Sequence, residues 1–355
     1  MKSRLLKPLA LLLATILILS SFVMTVSAEN QKPVLRTESE AKEYIEKYAH
    51  DIDEEGLYYS ILENQKIESF SGEKSYVLYS LSPSGYAIYD EISGVVEEMI
   101  LGSDNPYKNA KDSALYYGGP MNYIVKSGET FILLKDNAEL SKDDISELTK
   151  LEIYTAANRQ KTVKGIPQTT EYYYMSSSTY FTSLLGDKFG YNTSGTCTQL
   201  ACAIMLGHYN YYVNTLFVPT AYEDGCGTTD AFHTYLQTFI GTSPSGLANA
   251  ASGLNSYFSA IYFTSPTAYY DVGNHNTVYS RVINRVSNNR ATVIAMFTSY
   301  NPSCTMNHSV VAYGYREELY GGAMTSASYF VHNGWHGTKI GTYAWDWFAD
   351  DLYIG

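Results

Sequence analysis

The sequence is poor in cysteine, in cations and in long apolar runs, and each shortage excludes a class of protein. It has four cysteines in 355 residues and none before Cys197, which excludes a lipid-modified cysteine close behind a leader peptide. Lysine and arginine number 24 against 36 acidic residues, and without clustered cations we expect no nucleic-acid partner. After the first 28 residues, no run approaches the roughly 20 apolar residues of a membrane-spanning helix, so we expect no membrane span.

The first 28 residues have the three parts of a secretory signal peptide. Lys2, Arg4 and Lys7 form a basic start, residues 9–23 are mostly apolar, and Val26-Ser27-Ala28 ends the segment with small residues suited to cleavage. The sequence therefore predicts a secreted, extracellular protein.

Charge is unevenly distributed along the rest of the chain. Residues 29–170 carry 40 charged side chains, whereas residues 171–355 carry 17. Residues 159–168, at this change, are polar, basic and interrupted by Gly165 and Pro167, as exposed and cleavable linkers are. We expect a signal peptide (1–28), an acidic domain with the basic linker at its end (29–165) and a second domain (166–355).

Hydrophobic periodicity predicts helices and strands in both domains. A short helix capped by Ser39 is expected at 39–48, with Ala41, Tyr44, Ile45 and Tyr48 on one apolar stripe, and a longer helix at 198–212. The expected strands are 75–81, 86–90, 95–100, 130–134, 291–298, 309–315 and 328–331, and the turn residues 82–85 predict that the first two form a hairpin. The predicted fold class is α+β, with a central helix packed on an antiparallel sheet in the second domain and a small α+β domain before it.

Cys197 is the candidate nucleophile. A thiol attacks a carbonyl group as the thiolate, and its usual pKa of about 8.5 falls at a helix N-terminus or beside an imidazolium. Cys197 stands where the small and polar residues 190–196 meet the predicted helix. Cys202, five positions further along this helix, is expected to be packed, and the pairing of Cys202, Cys226 and Cys304 stays open.

His308 and Asn333 are the candidate partners of Cys197. His308 opens a predicted strand, and a strand end holds a proton-transfer group rigidly. Asn333 could accept the imidazole N–H and fix its tautomer, with Trp335 shielding that hydrogen bond from water. Among the other histidines, we expect His208 in the core and both His233 and His275 facing solvent.

These three segments resemble the papain-like cysteine peptidases, and most closely their secreted bacterial branch, the streptopain-like and staphopain-like enzymes. In that family a histidine precedes small and β-branched residues and Gly-Tyr, as in residues 308–315, and Asn333-Gly334-Trp335 is similar to its asparagine segment. The resemblance covers residues 178–355. It implies a Cys197-His308-Asn333 triad and no cofactor, and no Cys/His spacing here suggests a metal site.

The sequence departs from that family at two positions. Tyr191 stands where the family has an oxyanion-hole glutamine, so we assign this role to Asn192, together with the backbone N–H of Cys197. Gln199 competes as an amide, but a position inside the helix should turn it elsewhere. Thr198 occupies a position where the family often has tryptophan.

The resemblance implies an endopeptidase with a protein or peptide substrate, made as a zymogen whose acidic N-terminal segment is an intramolecular inhibitor. Three alternatives stay open. The same triad serves an amidase or peptidase of cell-wall peptides, a papain-like domain can be catalytically silent and bind at the cell surface, and the N-terminal region can be a permanent accessory domain.

Overall fold

The structure is a computed structural model that describes residues 36–110, 113–135, 137–159, 169–185, 196–223, 230–242, 246–296, 308–320, 322–334 and 340–355. These residues belong to one compact unit. The predicted signal peptide, Asn192, Trp335, Cys226 and Cys304 lie outside the described residues.

The first helix, α1 (Glu38–Ile52), begins one residue before the predicted range of 39–48 and extends four residues past it. Its N-cap is Thr37 rather than Ser39, since the Thr37 side chain accepts from the backbone N–H of Glu40 and the Glu40 carboxylate accepts from Thr37 in a capping box. The predicted apolar stripe is confirmed, with Ala41, Ile45 and Tyr48 buried.

The sequence predicted four of the eight strands that the structure has in the N-terminal region. The predicted hairpin is confirmed as β2 and β3, and two further predicted strands are confirmed as β4 and β7. The strands of this region are β1 (Ser60–Ile67), β2 (Tyr76–Ser82), β3 (Gly85–Asp90), β4 (Val95–Leu101), β5 (Ala114–Tyr117), β6 (Tyr123–Ser127), β7 (Thr130–Leu133) and β8 (Ala138–Glu139). A second helix, α2 (Lys142–Arg159), follows them.

The C-terminal region has more helix than the sequence patterns predicted. The expected long helix is α3 (Cys197–Tyr212), and three helices were missed: α4 (Asp230–Ile240), α5 (Leu247–Ala260) and α6 (His275–Ser287). A short π-helical segment (Tyr180–Leu184) precedes α3. The strands are β9 (Thr169–Tyr174), β10 (Ala268–Val272), β11 (Thr292–Met296), β12 (Ser309–Tyr320), β13 (Ala323–His332), β14 (Ile340–Ala344) and β15 (Phe348–Ile354).

One large antiparallel sheet contains strands from both halves of the chain. Within the described residues its order is β1-β2-β3-β4-β14-β13-β12-β11-β15-β10, with β9 paired to β12, and β5 to β8 form a separate sheet. The halves meet where β4 pairs with β14, with Glu98 opposite Tyr343 and Leu101 opposite Ile340. The fold is therefore α+β around a large antiparallel sheet, and α3 packs on its β11 and β12 strands.

A buried ion network also joins the two halves. Glu97 on β4 accepts from Lys74, from the Arg159 guanidinium and from the Trp347 indole, and Arg159 also binds Asp346. The expectation that Arg159 begins an exposed linker is wrong, because this guanidinium sits between two buried carboxylates. Residues 160–168 lie outside the described residues, and the division of the chain at residue 165 stays a prediction.

Candidate functional site

Cys197 is the first residue of α3, as the sequence predicted. Thr196 is the N-cap, and its carbonyl accepts the N–H of Leu200 at 3.0 Å. The thiol is partly exposed, whereas most of the helix behind it is buried. An anion in this position is stabilised by the positive end of the helix dipole.

The start of α3 lies beside the start of β12. The Thr198 and Ser309 hydroxyls are 2.9 Å apart, and each belongs to the residue that directly follows a candidate catalytic residue. The backbone carbonyl of His308 also accepts the N–H of Met296 at 3.1 Å, which fixes His308 to the end of β11. Cys197 and His308 are therefore brought to adjoining positions, although they are far apart in the sequence.

Asn333 joins them from the end of β13. Val311 pairs with His332, so continuing this antiparallel register by one residue places Asn333 opposite Val310, on the strand that His308 begins. Gly334 then packs against α3, since a Cβ at this position would lie 2.7 Å from the Leu200 Cδ2 atom. Its φ of +74° is in the left-handed region, so the Asn-Gly turn supplies both the conformation and the space.

The amide group of Asn333 is held by residues on either side. Its Nδ2 lies 3.4 Å from the Tyr343 hydroxyl on β14 and 3.6 Å from the Met121 sulfur. These contacts engage the nitrogen end of the amide. The predicted role of Asn333, accepting an imidazole N–H, uses the oxygen at the other end.

His308 is buried in a setting that favours the neutral imidazole. Burial lowers the pKa of His308 to about 3, and the positive charge of Lys135 acts in the same direction. At neutral pH the ring is therefore uncharged, and a neutral ring can accept a proton but does not stabilise a thiolate by charge. Lys135 belongs to the turn after β7, in the N-terminal half of the chain.

The turn at residues 118–122, between β5 and β6, packs on the same part of the molecule. Besides the Met121 contact with Asn333, the Asn122 amide nitrogen lies 4.0 Å from the sulfur of Met296. A Cβ on Gly119 would lie 2.8 Å from the Met296 methyl and from the Trp347 ring. The 118–122 turn thus covers residues next to His308 and Asn333.

A buried carboxylate holds this turn in place. Glu98 accepts from the hydroxyls of Tyr86, Tyr117 and Tyr123 and from the backbone N–H of Met121. Burial raises the pKa of Glu98 to about 7, although these four hydrogen bonds oppose the rise. The sequence carried a signal for this cluster, because two adjacent glutamates interrupt the apolar strand β4, but it could not identify their partners.

The other histidines correct one expectation and confirm another. His208 is buried on α3, its Nε2 atom lies 2.7 Å from the Ser177 hydroxyl, and burial lowers the pKa of this ring to about 4. His233 and His275 were expected to face solvent, but both are buried, on α4 and α6. That expectation was wrong because the amphipathic pattern of α4 and α6 was not recognised.

His233 lies next to the nucleophile segment. Its Nε2 atom is 3.3 Å from the Thr196 hydroxyl and 3.1 Å from the Gln237 side-chain nitrogen. Gln199 points elsewhere, as expected, and donates to the Gly241 carbonyl at 2.7 Å. Cys202 is fully buried, and burial raises the pKa of its thiol.

Comparison with known proteins returned no match: no family model, no curated protein and no solved structure corresponds to the chain. Within the described residues, no helix has the length and apolar character needed to cross a bilayer. The same residues contain no group of three or more histidine, cysteine or acidic side chains placed to bind a metal ion.

Proposed function

We propose that this chain is a secreted cysteine endopeptidase, made as a zymogen, that cuts peptide bonds through Cys197, His308 and Asn333. The Cys197 sulfur bonds to the substrate carbonyl carbon, and His308 passes the thiol proton to the leaving amine as the C–N bond breaks. Water, deprotonated by His308, then releases the acid product and restores the thiol. Asn333 orients the imidazole, and Asn192 with the Cys197 N–H holds the developing oxyanion.

One observation carries the proposal: the starts of α3 and β12 and the end of β13 converge. The Thr198–Ser309 contact of 2.9 Å and the close approach of Gly334 to Leu200 join the three segments that hold the candidate triad. This arrangement suits thiol-based acyl transfer, because it has a nucleophile at a helix start, a histidine at a strand start and an asparagine on the adjoining strand.

Contacts with the N-terminal half support the zymogen part of the proposal. Met121 touches the Asn333 amide, and burial, with a smaller contribution from the Lys135 charge, lowers the pKa of His308 and so disfavours its protonated form. A thiolate stabilised by an imidazolium needs the opposite, a ring that gains a proton easily. Displacing the 118–122 turn removes the Met121 contact, and displacing Lys135 removes the smaller of the two causes that lower the pKa of His308.

Labelling with a thiol-reactive epoxide at neutral pH tests the chemistry. After the chain has been incubated to allow maturation, Cys197 should be labelled, and His308→Ala should slow the labelling at least about tenfold. Cys202 is the internal control, because its buried thiol should stay unlabelled in the folded protein. Equal labelling of Cys197 in the wild type and in His308→Ala would contradict the proposed pairing.

Substrate assays test the reaction class. The wild type should release peptides from casein and shorten itself within residues 160–168, and Cys197→Ala should do neither. Release of peptides from purified peptidoglycan but not from casein would replace the endopeptidase by a cell-wall enzyme. A folded wild-type chain that is neither labelled at Cys197 nor active on either substrate would be a binding domain.

A further inference from the structure

We infer that His233 is a positioning residue that orients the peptide group between Thr196 and Cys197, so that the Cys197 N–H faces the oxyanion of a bound substrate. This inference rests on the proposed function and deepens it. It assigns a role to a histidine outside the Cys197-His308-Asn333 triad.

The first support is the position of the His233 ring. The ring is buried, and its Nε2 atom lies 3.3 Å from the hydroxyl of Thr196, the residue directly before the nucleophile. Gln237, one turn further along α4, holds the same nitrogen at 3.1 Å. A side-chain amide can present either its nitrogen or its oxygen to this ring atom, so the contact suits either tautomer.

The second support is that Thr196 is held at two points. The His233 ring contacts the Thr196 hydroxyl, and the Thr196 carbonyl accepts the Leu200 N–H at 3.0 Å. The residue directly before the nucleophile is therefore fixed both to α4 and to α3.

Contacts at the Thr196 hydroxyl and at its carbonyl together fix the plane of the peptide group that follows. The C=O of Thr196 and the N–H of Cys197 belong to the same planar trans unit and point in opposite directions. Because the carbonyl points along α3 towards Leu200, the N–H points out of the helix N-terminus, on the side where a substrate carbonyl meets the thiol. The Leu200 N–H, by donating to the carbonyl, also polarises the amide and strengthens its N–H as a donor.

The test separates oxyanion stabilisation from thiol reactivity. His233→Phe should lower kcat for a fluorogenic peptide amide about tenfold, a part of the 10²–10³-fold loss that removing an oxyanion-hole donor causes, with KM within about twofold. Alkylation of Cys197 by iodoacetamide forms no oxyanion, so its rate should stay within about twofold of wild type. His233→Gln, which can place an amide nitrogen near the position of Nε2, should recover most of kcat.

His275→Phe is the matched control, because it removes another buried helix histidine whose ring contacts Tyr154, 3.0 Å away, rather than Thr196. It should keep wild-type kcat. If His233→Phe does not fold, kcat of His233→Gln is compared with kcat of His233→Asn. The shorter asparagine side chain should give the lower kcat.

Three results would overturn the inference. Wild-type kcat in His233→Phe would show that the ring orients nothing used in the reaction. An equal fall of kcat and of the alkylation rate would assign His233 to the thiol or to the fold. If the wild type is itself neither alkylated at Cys197 nor hydrolytic, the proposed function fails, and this inference fails with it before any His233 variant is compared.

Discussion

At the residue scale, Glu98 is a titratable group that holds the 118–122 turn. Its charge therefore affects the contact of this turn with Asn333, which we propose to be inhibitory. It lies on β4, opposite Tyr343 on β14, and its oxygens are satisfied by three tyrosine hydroxyls and the Met121 N–H. Tyr343 and Met121 are also the residues that contact the Asn333 amide nitrogen. The charge state of one buried carboxyl is therefore linked to the segment that covers the candidate site.

The stability of the chain should fall with rising pH through this group. Burial raises the pKa of Glu98 from 4.5 to about 7, so between these values the folded state holds a proton that the unfolded state has lost. The free energy of unfolding then decreases as pH rises, by at most about 3 kcal/mol from this residue. In a Cys197→Ala background, Glu98→Gln should gain stability relative to the parent chain between pH 5 and pH 8, measured by urea unfolding.

Glu73→Gln, at an exposed position, provides the control and should leave the pH dependence unchanged. If the difference between Glu98→Gln and the parent chain is the same at pH 5 and pH 8, Glu98 does not titrate in this range.

The environment of Gly334 leads to a second prediction, which concerns the stability of the fold. Gly334→Ala should destabilise the fold by about 2–4 kcal/mol, because it combines a positive φ with overpacking against Leu200. Urea unfolding of the Cys197→Ala chain with and without this change measures the loss. The same change in an otherwise wild-type chain should also lower activity, because it displaces Asn333.

Gly128→Ala separates the two contributions, since Gly128 also has a positive φ (+61°) but a Cβ there would meet nothing within 4 Å. It should cost only about 1 kcal/mol. Adding Leu200→Ala should reduce the cost of Gly334→Ala towards this value. An equal cost in both Leu200 backgrounds would show that packing against α3 is not the reason for this glycine.

At the scale of elements, α2 is fixed to the large sheet by its last residue. The Arg159 guanidinium bridges Glu97 on β4 and Asp346, which stands between β14 and β15. Arg159 and Lys74 outweigh burial and hold the pKa of Glu97 below its usual range. A buried network of this kind specifies one docking position for the helix more than it adds stability.

Arg159→Met should therefore be costly, by about 3–5 kcal/mol, because it leaves the Asp346 carboxylate buried without its cation and Glu97 with Lys74 alone. The free energy of unfolding in urea measures this cost. Arg159→Lys should recover only part of it, since an ammonium cannot span both carboxylates with the guanidinium geometry.

Lys108→Met is the matched control, because it breaks a pair with Asp104 in which both side chains are more than half exposed. It should cost less than about 1 kcal/mol. A similar cost for Arg159→Met would mean that the buried network contributes no more than a surface pair.

At the scale of the whole molecule, cleavage of the predicted linker should not by itself release the N-terminal segment. Three sets of contacts join the two pieces: the β4–β14 pairing, the Arg159 network, and the hydrogen bonds from the Tyr48 hydroxyl of α1 to Ser328 and Thr342. In a Cys197→Ala chain with a specific protease site replacing residues 161–167, the cut protein should elute as one species in gel filtration. A denaturing gel of that species should show two fragments.

Uncut protein from the same preparation is the control for elution volume. Separate elution of the N-terminal fragment directly after cutting would contradict the shared sheet. Under the proposed zymogen mechanism, a retained fragment implies that activation requires a second step, either further cleavage or dissociation of the N-terminal segment.

The amino-acid sequence by itself determined the local features of this protein. Periodicity and turn residues were sufficient to predict α1, the β2–β3 hairpin and α3, because these elements depend on neighbouring residues. The positions of Cys197 at a helix start and His308 at a strand start were likewise visible in the sequence. Asn333 was proposed from the Asn333-Gly334-Trp335 segment and the resemblance, and the reason for a glycine at position 334 appeared only with Leu200 beside it.

Only the tertiary structure decided which distant segments meet. The pairing of β4 with β14, the burial of Arg159 and Glu98, and the positions of Met121 and Lys135 near the candidate triad all depend on contacts between residues far apart in the chain. A local pattern specifies which face of an element is apolar, but not which other element covers it. For the same reason the sequence predicted that His233 faces solvent, whereas in the structure this residue of α4 contacts Thr196 at the start of α3.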